Sequence, residues 1–266
     1  MPDSDTANSP RNLLEQKIDL LLRTGQLLMQ NGADSNRIDR NMRRVAGFLE
    51  IPAGRFHMHI NYTTLMITIG DQIHSFTEFR KCSGHAVNMT VISAVSRLTV
   101  RTVRERLSME EYAAELDRIA SIPHHYPRWI TLLAIGLGCG AFCRLFGGDW
   151  QAVIIAAFAS AVALLLRQEL AVRKFNLYIT VALSAFLATL ISGAAGSAGW
   201  SAEPQYAVLA SVLFLVPGVP LVNSVDDMVD GYTIVGLTRA IVGFLIVSAI
   251  AFGMIMSIKL LGIQNI

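Results

Sequence analysis

The stretch Leu215-Val-Pro-Gly-Val-Pro-Leu-Val-Asn-Ser-Val-Asp-Asp-Met-Val-Asp-Gly-Tyr232 decides how this chain is read. It begins in an apolar run long enough to enter a membrane. Pro217 and Pro220 then interrupt that run, with Gly218 between them. Asn223, Asp226, Asp227 and Asp230 follow at helical positions i, i+3, i+4 and i+7, which is one face of a helix. A broken apolar helix that runs into a stripe of carboxylates is costly to place near a bilayer, and its expected use is a polar pathway or gate. The plainer reading is a solvated loop in which Asp226 or Asp227 caps a helix. Spacing alone leaves both open.

Working outward, the second half of the chain divides into five expected spans: 129–146, 150–166, 177–196, 206–222 and 233–258. Each is near the roughly 17–25 residues that cross hydrocarbon. Trp129, Trp150, Tyr178, Tyr206 and Tyr232 sit at span starts, as interface anchors would. Arg167, Arg173 and Lys174 crowd the link between spans two and three, whereas residues 197–205 carry no Lys or Arg. The positive-inside rule then places residues 1–127 and the Asp stripe in the cytoplasm and the C-terminus outside. Arg144 and Lys259 count against this orientation. Arg239 lies about one and a half turns into the fifth span. It either snorkels to the headgroups, pairs with Asp226, Asp227 or Asp230, or holds a substrate carboxylate.

Composition agrees with a membrane protein. The chain has 266 residues, 53% hydrophobic and only 16% charged, with mean hydropathy +0.46. Residues 1–128 hold 16 of the 22 Lys and Arg, 14 of the 20 Asp and Glu, and all six His. The expected fold is therefore an N-terminal cytosolic α+β domain (11–127) after a disordered tail (1–10). An integral α-helical membrane domain of five transmembrane helices (128–266) follows. A net charge of +2 gives no case for nucleic acid. Three cysteines, two of them in an apolar run, are no disulfide framework, and no signal peptide is visible.

Within the N-terminal domain the apolar spacing predicts helices over 11–30 and 34–50. The period then changes to two. Phe56 to Tyr62 reads as a strand, extended on a shifted phase by Leu65, Ile67 and Ile69 through a bend or bulge at Thr63–Thr64. A turn at Gly70–Asp71 and a returning strand over 72–79 are expected. Helices should follow over 85–106 and, opened by a Ser108/Glu111 capping box, through about residue 120.

Other residues carry less. His57 and His59 share one side of a strand, about 7 Å apart, but no third ligand follows, so no metal is expected. His124–His125 is read as a linker pair. The small residues of the spans, such as Gly136, Gly138, Gly140 and Ala156 to Ala163, suit close helix packing. Cys139 and Cys143 are read as small packing residues. No nucleophile elbow, Walker A or dinucleotide fingerprint is present, so neither a catalytic set nor a cofactor is expected.

Four stretches together resemble the threonine/serine exporter (ThrE) family, most closely its split, YjjP-like members. They are Asn31-Gly-Ala-Asp-Ser-Asn-Arg-Ile-Asp-Arg-Asn-Met-Arg-Arg44, Ser108–Ile119, Leu145-Phe-Gly-Gly-Asp-Trp150 and, most distinctive, Val216–Gly231. The resemblance implies a secondary transporter that exports small hydrophilic metabolites. Threonine and serine are implied for fused members, succinate for split ones. It also implies a separate small multi-span membrane subunit as partner, an oligomeric assembly, and a bacterial inner-membrane location among lipid. On this reading Pro217, Gly218, Pro220, Asn223, Asp226, Asp227, Asp230 and Arg239 form the substrate or proton pathway. Two alternatives are a membrane-anchored enzyme that works through a hydrolase-like soluble domain, and a membrane scaffold.

Overall fold

The computed structural model describes residues 10–70, 75–82, 86–122 and 126–262. Ten α-helices and one three-stranded sheet are found among them. They fall into two compact units. One joins residues 10–122 to 219–240, and the other joins 126–218 to 241–262.

The N-terminal unit begins with α1 (Pro10–Gln30) and α2 (Ser35–Phe48). Strands β1 (Phe56–Asn61), β2 (Thr64–Gly70) and β3 (Ser75–Lys81) form an antiparallel sheet in sequence order. Helices α3 (Met89–Glu105) and α4 (Met109–Ala120) follow. Ser108 and Glu111 make the reciprocal capping box at the start of α4. Apolar residues from all these elements, with Ile18, Leu21, Ile38, Met42, Leu65 and Leu116 fully buried, form one core. The Tyr112 hydroxyl shares a buried hydrogen bond with Thr24 Oγ1 at 2.8 Å. Burial pushes its pKa up to about 12 despite that bond, so it stays a neutral core group at any ordinary pH.

The single bent strand expected over 56–69 is a hairpin instead. Ile60 pairs with Leu65 and Asn61 with Thr64 across the two-residue loop Tyr62–Thr63. Partners that face each other across such a loop are an odd number of residues apart. The apolar phase therefore shifts by one although both strands present it to the same core. A bulge leaves the same mark in sequence. The expected tail (1–10, apart from Pro10), the turn at residue 71 and the pair at 124–125 lie outside the described residues.

The second unit holds α5 (Arg128–Leu145), α6 (Trp150–Val172), α7 (Leu177–Ser197), α8 (Pro204–Ser211) and the later part of α10 (Thr233–Leu261). Helices α5, α6, α7 and α10 are each long and apolar enough to cross a membrane. A fifth crossing appears if the bent pair Pro204–Leu215 and Gly218–Val229 is counted as one. That pair is bent by 62°. Its first arm is too short alone, about 18 Å against about 30 Å of hydrocarbon. Its second arm, α9 (Gly218–Val229), folds from residue 219 onward with the N-terminal unit. The break falls at Val216–Pro217. Pro220 sits in the first turn of α9, where no intrahelical N–H is needed. Helix α6 runs past its expected end and takes Arg167 out of the link between spans.

Small residues let these helices meet closely. A Cβ at Gly136 would lie 2.9 Å from the Ala157 carbonyl, and one at Gly140 would lie 3.2 Å from the Val153 carbonyl, both on α6. Gly138 faces open space.

In the N-terminal core, a Cβ at Gly25 would collide with Leu65 Cδ2 and lie 3.0 Å from Met42 Sδ. Gly25→Ala should gain about 1 kcal/mol of helix propensity and lose about 1–3 kcal/mol to overpacking. The apparent melting temperature of the full chain in detergent is expected to fall. A rise would show that this part of the core has slack.

Candidate functional site: a turn clasped by the aspartate stripe

The site starts with the way α1 stops. Gly32 adopts φ +86°, a left-handed conformation that favours glycine. Its N–H donates to the Met29 carbonyl and the Ala33 N–H to the Leu28 carbonyl, the two bonds of a Schellman turn. The carbonyls of Gly32 and Ala33 are thereby left past the helix end. Asp34 then caps α2 by accepting from the Arg37 N–H at 2.7 Å. The N–H of Ser35, in the first turn of α2, remains without an intrahelical partner.

Helix α9 supplies what this turn lacks. Asn223 Nδ2 donates to the Gly32 carbonyl at 2.9 Å. Asp227 Oδ1 accepts from the Ser35 N–H at 2.8 Å. Asp230 Oδ2 accepts from Asn36 Nδ2, also at 2.8 Å. From α10, Arg239 Nη2 donates to the Ala33 carbonyl at 2.9 Å. Helix α9 ends in a second Schellman turn: Gly231 at φ +88° donates to Met228, and Tyr232 donates to the carbonyl of Asp227 itself. The turn sends the chain directly into α10 at Thr233. Close approach of the two helices needs Gly236, where a Cβ would sit 2.6 Å from the Ser224 carbonyl.

The electrostatic centre is the pair Asp227–Arg239, with Oδ2 and Nε 3.1 Å apart and the residues only 1% and 8% exposed. Neither of those two atoms has hydrogen-bond geometry among the described residues, and neither does the buried Ser35 Oγ. The attraction is therefore Coulombic rather than a bidentate lock. Asp227 folds with the N-terminal unit. Beside the pair is a cavity of about 40 Å³ lined by Gly32, Asn223, Arg239 and the apolar Met29, Val87 and Pro220. It has room for a few waters.

Of the residues expected to form a pathway, Asn223, Asp227, Asp230 and Arg239 meet at this turn. Asp226 points elsewhere and is exposed. Pro217 marks the break, and Gly218 faces open space. Arg239 does not snorkel: its guanidinium is occupied by Ala33 and Asp227. Sequence reading did not find Gly32, Ala33 and Asn36 as partners, since carbonyls and an amide carry no pattern. Gly236 gave no signal either. His57 and His59 are both exposed on β1.

A family model described as "Putative threonine/serine exporter" (ThrE) matches residues 19–261, and the chain belongs to this family. The chain is 32% identical over 247 residues to "Probable succinate transporter subunit YjjP" of Escherichia coli strain K12, covering 92% of this chain and 95% of that one. The protein of that name from Klebsiella aerogenes is 31% identical, with 92% and 94% covered. "Threonine/serine exporter" of Corynebacterium glutamicum is 24% identical over 259 residues, spanning 94% of this chain and 52% of the relative. No solved structure matches.

The losses from removing the two members of the buried pair should not add. Asp227→Ala leaves the Arg239 charge and the Ser35 N–H without a partner, at a cost of about 3–5 kcal/mol. Arg239→Ala should cost a similar amount. In a double-mutant cycle the combined variant is expected to lose much less apparent melting temperature than the sum of the two. Additive losses would show that the pair is not coupled.

Proposed function

We propose that the chain is one subunit of a proton-coupled secondary transporter that exports a small carboxylate-bearing metabolite, a hydroxy amino acid or a dicarboxylate. It works with a second small membrane subunit in the bacterial inner membrane, with the N-terminal unit in the cytoplasm. Three facts support the outline. The chain is an exporter-family member with four or five apolar spans. Relatives of nearly the same length are named as subunits. The Corynebacterium relative is about twice as long over the match, which leaves a second half for a partner to supply.

The observation that carries the mechanism is the buried carboxylate of Asp227, which holds Ser35 and Arg239 at once. When Asp227 takes a proton its charge is lost. The attraction to Arg239 then disappears, and the bond to the Ser35 N–H is no longer charge-assisted. The α9 stripe then holds the α1–α2 turn only through Asn223 and Asp230, both at less buried positions. A proton bound on one side of the membrane is thereby converted into a looser grip on α9, immediately after the break at Pro217. On this reading the site handles the proton, and the solute passes elsewhere.

Asp227→Asn keeps the shape and removes the titration. In proteoliposomes that contain the chain and its partner subunit, this variant is expected to lose at least tenfold of the flux driven by a pH gradient. Its residual flux should show no dependence on the pH of the cytoplasmic side. Normal flux with a normal pH profile would remove Asp227 from the coupling.

A further inference from the structure

With Arg239 held at the turn, the proposed transporter needs another cation for a carboxylate solute. Six cations belong to the described residues of the membrane unit. Arg128, Lys174 and Lys259 are exposed. Arg144 is exposed, donates to the Gly148 carbonyl and stacks over Trp150. Arg173 is exposed and pairs with Glu169. Arg167 is the exception: it is partly buried and forms no ion pair among the described residues.

Its position is specific. Arg167 lies inside α6, five residues before that helix ends at Val172. Its Nη1 donates to the Phe214 carbonyl at 3.4 Å. Phe214 is the middle residue of the 3₁₀ turn Leu213–Leu215, where the helical path breaks ahead of Pro217. A guanidinium that donates one long bond keeps further donors in a planar fork, the geometry that a carboxylate accepts in two parallel bonds. An Arg near a helix end ordinarily extends into the headgroups. This one turns to a backbone carbonyl at a helix break instead. The membrane unit holds further buried polar atoms. Gln168 Oε1 and the buried hydroxyls of Thr180, Thr189 and Ser257 have no hydrogen-bond partner among the described residues. An uncompensated cation and unpartnered polar atoms in apolar helices are costly to keep unless something uses them.

We propose that Arg167, at the break carried by Phe214, is the subsite for a carboxylate of the exported solute. The assignment rests on the transporter reading above. It separates the two tasks: Asp227 takes the proton and Arg167 reads the anion.

The test uses the full chain together with its partner subunit in nanodiscs and equilibrium binding of radiolabelled succinate and L-threonine, with succinamide as a neutral competitor. The wild type should bind at least one acid and should prefer succinate to succinamide by at least tenfold. Arg167→Gln should lose at least tenfold in affinity for that acid, and Arg167→Lys should retain part of it. Unchanged affinity in Arg167→Gln would overturn the assignment while leaving the transporter reading intact. If Arg167→Gln does not fold, the wild type still decides, because equal binding of succinamide and succinate overturns it. A wild type that binds neither acid would overturn both readings.

Discussion

The clasp between the α1–α2 turn and α9 depends on one buried ion pair. Asp227 is almost wholly excluded from solvent and is next to Arg239, which is also buried. Two charges in such a place are tolerated only if each is also held by fixed dipoles. The α1–α2 turn provides those dipoles: a free N–H at Ser35 for the carboxylate and a free carbonyl at Ala33 for the guanidinium. These groups are free because a helix has just ended and another has just begun. The Schellman turn at Gly32 and the first turn of α2 expose them by construction. Neither partner can be replaced without leaving the other's polar groups buried and unsatisfied.

This constraint explains why two stretches some 190 residues apart in sequence both belong to the family resemblance. Asn31–Asn36 presents the turn, and Asn223–Asp230 presents the side chains that close on it. Gly231, Tyr232 and Gly236 form the hinge and the close approach that bring Arg239 to the same place. The residues after the break at Pro217 thus fold with the N-terminal unit, and those before it fold among apolar helices. In the proposed cycle, the break is the point at which a proton on Asp227 is felt by the solute pathway.

Much of this was legible in sequence for definite reasons. The long apolar runs give the membrane helices because no other structure suits such composition. Ser108 and Glu111 give a capping box because its chemistry is local. The stripe at Asn223, Asp227 and Asp230 is legible because helical periodicity places these residues on one face, although Asp226 shares the spacing and stays in solvent. The partner of the stripe was not legible. It is made mostly of backbone groups, whose availability follows from where helices end in space. The hairpin at Tyr62–Thr63 was missed because its phase shift also fits a bulge. The place of Arg167 inside α6 was hidden because charge counting puts it in a link.

The central claim is that the turn and the stripe must part during transport. Asn36 and Asp230 touch through their side chains, and the three native cysteines are buried. Cysteines at 36 and 230, introduced in a background with Cys82, Cys139 and Cys143 replaced by Ser, can be joined by a short reversible cross-linker. Flux in proteoliposomes is then measured before cross-linking, after it, and after reduction. The account predicts flux that is lost on cross-linking and recovered on reduction. Undiminished flux with the two residues covalently joined would contradict it.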